Sequence, residues 1–197
     1  MKNTFYIAYF FVLFFLLCSL SFGAEESVVA LPGHELGDQM FSIRAGILLP
    51  LFWQDLGGNE ILPANSSIGA AGALQWNFYL TGSLRLGIDI GLAFGVDINS
   101  NLYNMIPISF RTTYIFSISR FEFPVSLCVG MNILNHLENY DIGLIIRPEA
   151  GMFYRYDANF SFGLNIGYWW TLEFPVKDDP ATAGNFLDIT PALLYHF

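Results

Sequence analysis

From Ser83 to Val96 the chain alternates without a break. Leu84, Leu86, Ile88, Ile90, Leu92, Phe94 and Val96 share one face; Ser83, Arg85, Gly87, Asp89, Gly91, Ala93 and Gly95 share the other. Phe121 to Ile133 and Phe160 to Phe174 repeat the pattern. A period of two belongs to an extended strand, because a helix would mix both sets around its circumference. Segments 41–50, 67–80, 106–118, 142–156 and 186–197 carry the same pattern less cleanly, giving eight strands in all. Their connections alternate: 51–66, 97–105, 134–141 and 175–185 are long, whereas 81–82, 119–120 and 157–159 are short. That describes an all-β, antiparallel, up-and-down meander with both termini at the short-turn end.

The identity of the two faces decides the solvent. A water-soluble lipocalin-type barrel would turn the apolar face inward and present Lys, Glu and Thr to water. Here the opposite face is Gly, Ala, Ser and Asn with isolated charges, and the whole chain is only 13% charged against roughly 25% in a typical soluble domain. The apolar face is large and unbroken over seven or eight positions, too bulky for an eight-stranded interior that side chains barely fit. It reads as a lipid-facing band. The strands are long enough for the roughly 9–11 tilted residues that cross a bilayer. Hydrocarbon makes closure obligatory, since each unpaired backbone group there costs several kcal/mol. The expected fold is therefore an eight-stranded transmembrane β-barrel over residues 40–197. A net charge of −9 argues against nucleic acid as a partner, because phosphate binding needs a basic surface.

Lys2, the apolar run Phe5–Leu20 and the small residues around Ser21-Phe22-Gly23 read as a signal peptide over residues 1–23, cleaved before Ala24. An uncleaved anchor helix and a lipoprotein acylated at Cys18 are the weaker alternatives, since Phe15-Leu16-Leu17 lacks the small residue that precedes a lipidated cysteine. The mature chain keeps one cysteine, Cys128, so an intrachain disulfide is excluded. Residues 24–39, with Glu25, Glu26, Pro32, Gly33, Glu35 and Asp38, read as a loosely ordered periplasmic linker.

With the apolar face outward, the inward set holds Arg44, Arg85, Arg111, Arg147 and Arg155 against Asp89, Glu122, Glu149, Glu173 and Asp188. Ionised groups in a narrow interior must pair or stay hydrated, and guanidinium suits carboxylate pairing. Depth along neighbouring strands predicts Asp89 with Arg111 and Glu122 with Arg155; Arg147 and Glu149 stand one above the other. Glu173 and Asp188 are expected on adjacent strands near the long-loop mouth, repelling each other unless a cation lies between them. The network reads as a salt-bridge plug that fixes barrel shape, with a narrow polar path or gated pore as the alternative. Phe121, Tyr154, Tyr156 and Phe160 flank the short turns, and Trp170 and Phe174 the long-loop side, as aromatic girdle positions. No G-x-S-x-G, P-loop or paired metal-ligand spacing occurs. His34 falls in the linker, His136 in the third long loop beside Glu138 and Asp141, and His196 at the periplasmic end. No serine neighbours His136 in sequence, so the chain is not expected to be an enzyme, and no cofactor or metal is expected.

The final strand alternates through Ile189, Pro191, Leu193 and Tyr195 to Phe197. Leu193, Tyr195 and Phe197 resemble the carboxy-terminal assembly signal of bacterial outer-membrane barrels, an apolar edge strand that insertion machinery can extend. The end Leu194-Tyr195-His196-Phe197 and the first strand Ile43-Arg44-Ala45-Gly46-Ile47-Leu48-Leu49-Pro50 resemble those of OmpW-type proteins, as do Pro107 and Pro148 inside strands. The architectural resemblance covers residues 40–197 and the motif match about twenty of them. It implies an outer-membrane location with both termini in the periplasm and a small channel or transporter for small, hydrophobic solutes. Its implied partners are outer-membrane lipid and the barrel-insertion machinery. The charged lumen departs from the partly apolar lumen of that family, and the alternative is a non-conducting structural or surface-interaction barrel.

Overall fold

The structure, a computed structural model, describes residues 33–58, 60–97, 99–136, 139–173 and 181–197. The signal-peptide segment, residues 24–32 of the linker, Phe174 and the tip of the last long loop lie outside the described residues. The strands are β1 Gln39–Asp55, β2 Glu60–Pro63, β3 Gly69–Tyr79, β4 Leu84–Val96, β5 Leu102–Ile118, β6 Phe121–His136, β7 Asn139–Arg155, β8 Phe160–Glu173 and β9 Thr182–His196. Eight of them, β1 and β3 to β9, form a closed antiparallel barrel, with β1 pairing both β3 and β9. The short β2 folds back on the upper end of β1, pairing Phe52 with Pro63 through Asp55 with Glu60.

The strands run further toward the long-loop end than alternation alone predicts. Pairing of β6 with β7 continues to His136 and Asn139, leaving two residues between them. Most of the expected long loop over 134–141 is therefore paired strand. Residues 97–101 replace the expected loop 97–105, and β1 extends to Asp55 through a bulge between Pro50 and Phe52. The cause is compositional: polar tips such as Asn101, Asn135 and Asp141 hide the period, while backbone pairing continues regardless of side-chain polarity.

Proline placement shows how the wall tolerates breaks. The ladders skip residues beside Pro107 (β4–β5), Pro124 (β6–β7), Pro148 (β7–β8) and Pro191 (β1–β9), and each resumes in the same register. On its other flank each of these strands is paired through the proline position. Proline has no N–H to leave unmatched in hydrocarbon, so each ladder pauses where one donor is missing by covalent structure.

Burial follows the pleat. Ile88, Ile90, Leu92 and Phe94 on β4 and Val125, Leu127, Val129 and Met131 on β6 are exposed, whereas Arg85, Asp89, Ser126 and Cys128 between them are buried. The oily surface is the outside of the cylinder. The aromatic residues at the short-turn end form a continuous outer band. Phe121 meets Tyr154 at 5.4 Å, Tyr154 meets Phe162 at 5.7 Å, and Phe160 meets Tyr195 at 5.0 Å between ring centroids. Tyr156 is exposed beside them, and Trp170 lies half-buried higher on the wall. Leu193, Tyr195 and Phe197 face outward on the strand that closes the barrel.

The interior is richer in apolar groups than the sequence reading expected. Leu48, Met105, Ile145, Trp169 and Phe186 form a buried cluster toward the long-loop end, with Trp53 and Leu134 packed on it. Met40, Tyr79, Ile115, Phe153 and Leu194 form a second toward the short turns. The bulge after Pro50 reverses the parity of β1, which brings Trp53 edge-on to Phe186 at 5.8 Å.

Candidate functional site

The charged residues occupy the lumen between and below these apolar layers. Glu149 on β7 is the hub. Its carboxylate accepts two hydrogen bonds from the Arg44 guanidinium at 2.9 Å and one each from Arg111 Nη1 at 2.5 Å and Asn165 Nδ2 at 3.2 Å. Arg147 Nε lies 2.5 Å from it as an ion pair. Asp89 on β4 is the second carboxylate, bonded by Arg147 and by Arg44 Nη2 at 3.2 Å, with Arg111 Nη1 at 3.8 Å. Asp89 and Arg147 have no exposed surface at all.

Neighbouring side chains complete the layer. Arg111 also donates to Thr113 Oγ1 at 3.2 Å and Ser126 Oγ at 2.8 Å. The Arg147 guanidinium sits 5.0 Å from the Trp169 ring centroid, and Trp169 Nε1 donates to Asp188 Oδ1 at 2.8 Å. Asp188 reaches this layer over Gly167, where a methyl group would strike the Asp188 carboxylate and lie 3.2 Å from Glu149 Cγ. Three guanidinium groups thus face two ion-paired carboxylates, with Asp188 alongside.

Two expected placements change. Asp89 does lie near Arg111, yet its nearer partners are Arg147 and Arg44. Glu173 and Asp188 are not neighbours. Glu173 pairs with Thr182 in the ladder and accepts from its hydroxyl at 2.9 Å, whereas Asp188 stands opposite Gly167, six positions further along β9. The sheet register, not proximity to the mouth, fixes Asp188 at the depth of the ionic layer, so a shared cation between the two carboxylates has no geometric basis. Among the described residues no group of three or more His, Cys, Asp or Glu could hold a metal ion.

A second polar cluster closes the short-turn end, and its key member is one that sequence reasoning left in a loose linker. His34 Nε2 lies 2.9 Å from Glu122 Oε1, and its ring stacks on Tyr79 at 4.2 Å and His196 at 4.9 Å. Arg155 Nε lies 3.5 Å from the same Glu122 oxygen, and Arg85 Nη1 donates to the Tyr79 hydroxyl at 3.4 Å. The linker is tied down here by Gly37 N–H to Tyr79 C=O at 3.0 Å and Tyr79 N–H to Asp38 C=O at 2.8 Å. A charge-rich linker gives no periodic signal of such docking; of the residues that receive it, only Glu122 was expected inward, with His196 at the periplasmic end and Tyr79 unremarked. Replacing His34 with alanine is expected to destabilise the barrel by about 1–3 kcal/mol, from the lost bond to a carboxylate and the lost stacking. Urea unfolding in lipid vesicles, followed by tryptophan fluorescence, measures it.

The fold also brings Ser161 Oγ within 2.9 Å of His196 Nε2. His196 Nδ1 has no hydrogen-bond partner, and Ser161 has no exposed surface. A nucleophilic serine needs both an oriented base and access for a substrate carbonyl; this pair has neither. His136 belongs to the end of β6, and its side chain lies outside the described residues.

Beside the ionic layer little space is left among the described residues. Below the ionic layer, between Arg44, Gln75, Arg85, Arg111, Phe153 and Leu194, the free volume is about 10 Å³, at most the room for one water. At the long-loop end a vestibule of about 380 Å³ opens above the upper apolar cluster.

A protein-family model matches residues 22–195 of the chain. A protein of Treponema pallidum (strain Nichols) is 29% identical over 185 residues, covering 88% of this chain and 84% of the relative. One from Borreliella burgdorferi is 23% identical over 154 residues, covering 67% and 72%. Among solved structures, Neisserial surface protein A superposes with a TM-score of 0.57 at 12% identity, over 82% of this chain and 97% of that one. The outer membrane protein AlkL, determined in lipid bilayers, gives 0.51 at 14% identity, over 88% and 96%. At these identities the structural likeness speaks for the fold. The chain belongs to the family whose model spans residues 22–195, and its fold is that of the small eight-stranded outer-membrane β-barrels.

Proposed function

We propose that this chain is a non-conducting outer-membrane barrel that acts through its long-loop surface, with the ionic layer serving as a structural plug. The observation that carries this reading is the filled lumen. Arg44, Asp89, Arg111, Arg147 and Glu149 are each at most 4% exposed, and about 10 Å³ remains free below them. A hydrated ion needs a continuous water path, and five interlocked side chains bonded across the barrel stand in its way. On this reading both termini lie in the periplasm, and the outward stripe Leu193, Tyr195 and Phe197 is offered to the insertion machinery as β9 closes on β1. Outer-membrane lipid then covers the aromatic band.

Planar-bilayer recording of the refolded full chain tests it. The expected result is a membrane-inserted protein without unitary current steps at either polarity. Reproducible steps from the unmodified protein would end the plug reading.

A second reading, a transporter of small hydrophobic solutes, is favoured by one observation: Trp53, Leu134 and Phe186 give the vestibule an apolar lining. A solute entering there would meet the ionic layer, so transport requires that layer to rearrange. Liposome uptake of a small hydrophobic solute at a rate above that of protein-free liposomes would favour this reading.

A further inference from the structure

The segment ahead of β1 is built as a turn, not as a free leader. Glu35 N–H donates to Asp38 Oδ2 at 2.8 Å, and Asp38 N–H to Glu35 C=O at 3.3 Å, with Gly37 inside the turn at a φ of +96°. Such a φ favours glycine. The turn carries His34 back under the lumen, its carbonyl over Gly82 in the β3–β4 connection, where a Cβ would lie 3.1 Å away. The His34 side chain is left only 5% exposed.

The groups that receive His34 come from three separate strands: Tyr79 from β3, Glu122 from β6 and His196 from β9. The His196 platform is itself braced from β8 and the turn before it. Ser161 Oγ lies 2.9 Å from its Nε2, its N–H donates to Asn159 C=O at 2.7 Å, and Asn159 Nδ2 donates to its carbonyl at 3.0 Å. The buried serine–histidine pair thus supports a stacking surface. Glu122 is 88 residues from His34 in sequence, and His196 lies on the strand that closes the barrel against β1. Until that seam forms, the receiving site does not exist. Docking beforehand would have to close loops of that length, whereas afterwards only a short turn has to be ordered, and loop entropy favours the second sequence of events.

We propose that residues 33–38 are a clasp that engages after β9 has joined β1 and then holds the closed barrel against unfolding. The clasp bridges the seam, because its chain runs directly into β1 while the His34 ring rests on His196 of β9. It also reaches across the lumen to Glu122. An interaction made only after the transition state leaves the folding rate alone and slows unfolding. The clasp is therefore a device for kinetic stability, dispensable for insertion, and it acts whether or not the lumen ever conducts.

Folding and unfolding rates of the full chain in lipid vesicles, followed by heat-modifiable gel mobility after dilution from urea or transfer into it, test this. His34→Ala is expected to speed unfolding about tenfold, as for the loss of one hydrogen bond to a charged group, and to leave the folding rate within about twofold. In a Glu122→Gln background, where the carboxylate charge is gone, the same substitution is expected to speed unfolding only about threefold. An unchanged unfolding rate for His34→Ala overturns the proposal. So does folding slowed as much as unfolding is quickened, which would place the docked segment in the transition state, or an equal effect of His34→Ala in the two backgrounds.

Discussion

Glu149→Ala is expected to lower the unfolding free energy of the barrel by about 3–5 kcal/mol, the cost of leaving buried charges without their partner. The substitution removes the group that Arg44, Arg111 and Arg147 converge on. It leaves three guanidinium groups facing Asp89, with the nearest alternative carboxylate, Asp188, already held by Trp169 and Thr190. Water cannot make up the difference easily, because the apolar clusters above and below seal the layer. Glu149→Gln keeps an acceptor oxygen and the side-chain volume, so its cost is expected to be smaller than that of alanine while still exceeding that of a surface change. Equilibrium urea unfolding in lipid vesicles gives both numbers. A loss under about 1 kcal/mol for Glu149→Ala would show that the carboxylate is not the hub. The same variant is the sharpest companion to the conductance experiment, since it removes the most connected element of the plug.

The second large effect is expected on the opposite face of the wall. Val129 lies midway along β6 with its side chain outward and 42% exposed. Val129→Arg places a guanidinium group in hydrocarbon and is expected to cost about 2–4 kcal/mol, the range for a charge at the bilayer midplane of such barrels. Ile118→Arg, at the end of β5 beside the short turn, is also fully outward but lies at the interface, where the cost falls to about 0–1 kcal/mol. The contrast between the two positions matters more than either number. Equal, small effects would mean that Val129 faces water. The neighbouring buried position, Cys128, touches Arg111 at 3.5 Å, so two adjacent residues on one strand answer to opposite solvents.

The architecture was legible in the sequence because one period governs nearly every strand. Once β4, β6 and β8 are read with oily residues outward, closure, antiparallel order and the inward arginines and carboxylates follow from hydrocarbon chemistry. What alternation could not supply was geometry across the lumen. Arg44 reaches Glu149 from β1 to β7, and Asp89 meets Arg147 from β4 to β7, strands that are not neighbours in the wall. Reasoning from adjacent strands therefore paired Asp89 with Arg111 alone. The inward apolar residues were missed for another reason: Ile145 and Phe153 share the parity of Arg147 and Glu149 on β7, but a large apolar residue among inward charges carries no sign that it packs into a core cluster across the lumen. The bulge near Pro50 changed the parity that would have assigned Trp53. His34 was invisible for a different reason, since a short segment outside any strand has no period to read. Its docking depends on Tyr79, Glu122 and His196 arriving together from three strands.

The central claim is that oily side chains on the outer wall meet lipid, while those inside meet neither lipid nor free water. Cross-relaxation from acyl-chain and water protons to methyl groups of the unmodified protein in nanodiscs tests it without any substitution. The account predicts acyl-chain transfer to Ile88, Ile90, Leu127, Val129 and Met131, and no transfer from lipid or water to Leu48, Met105, Ile145 and Leu194. Lipid transfer to the second group, or water transfer to the first, would contradict it.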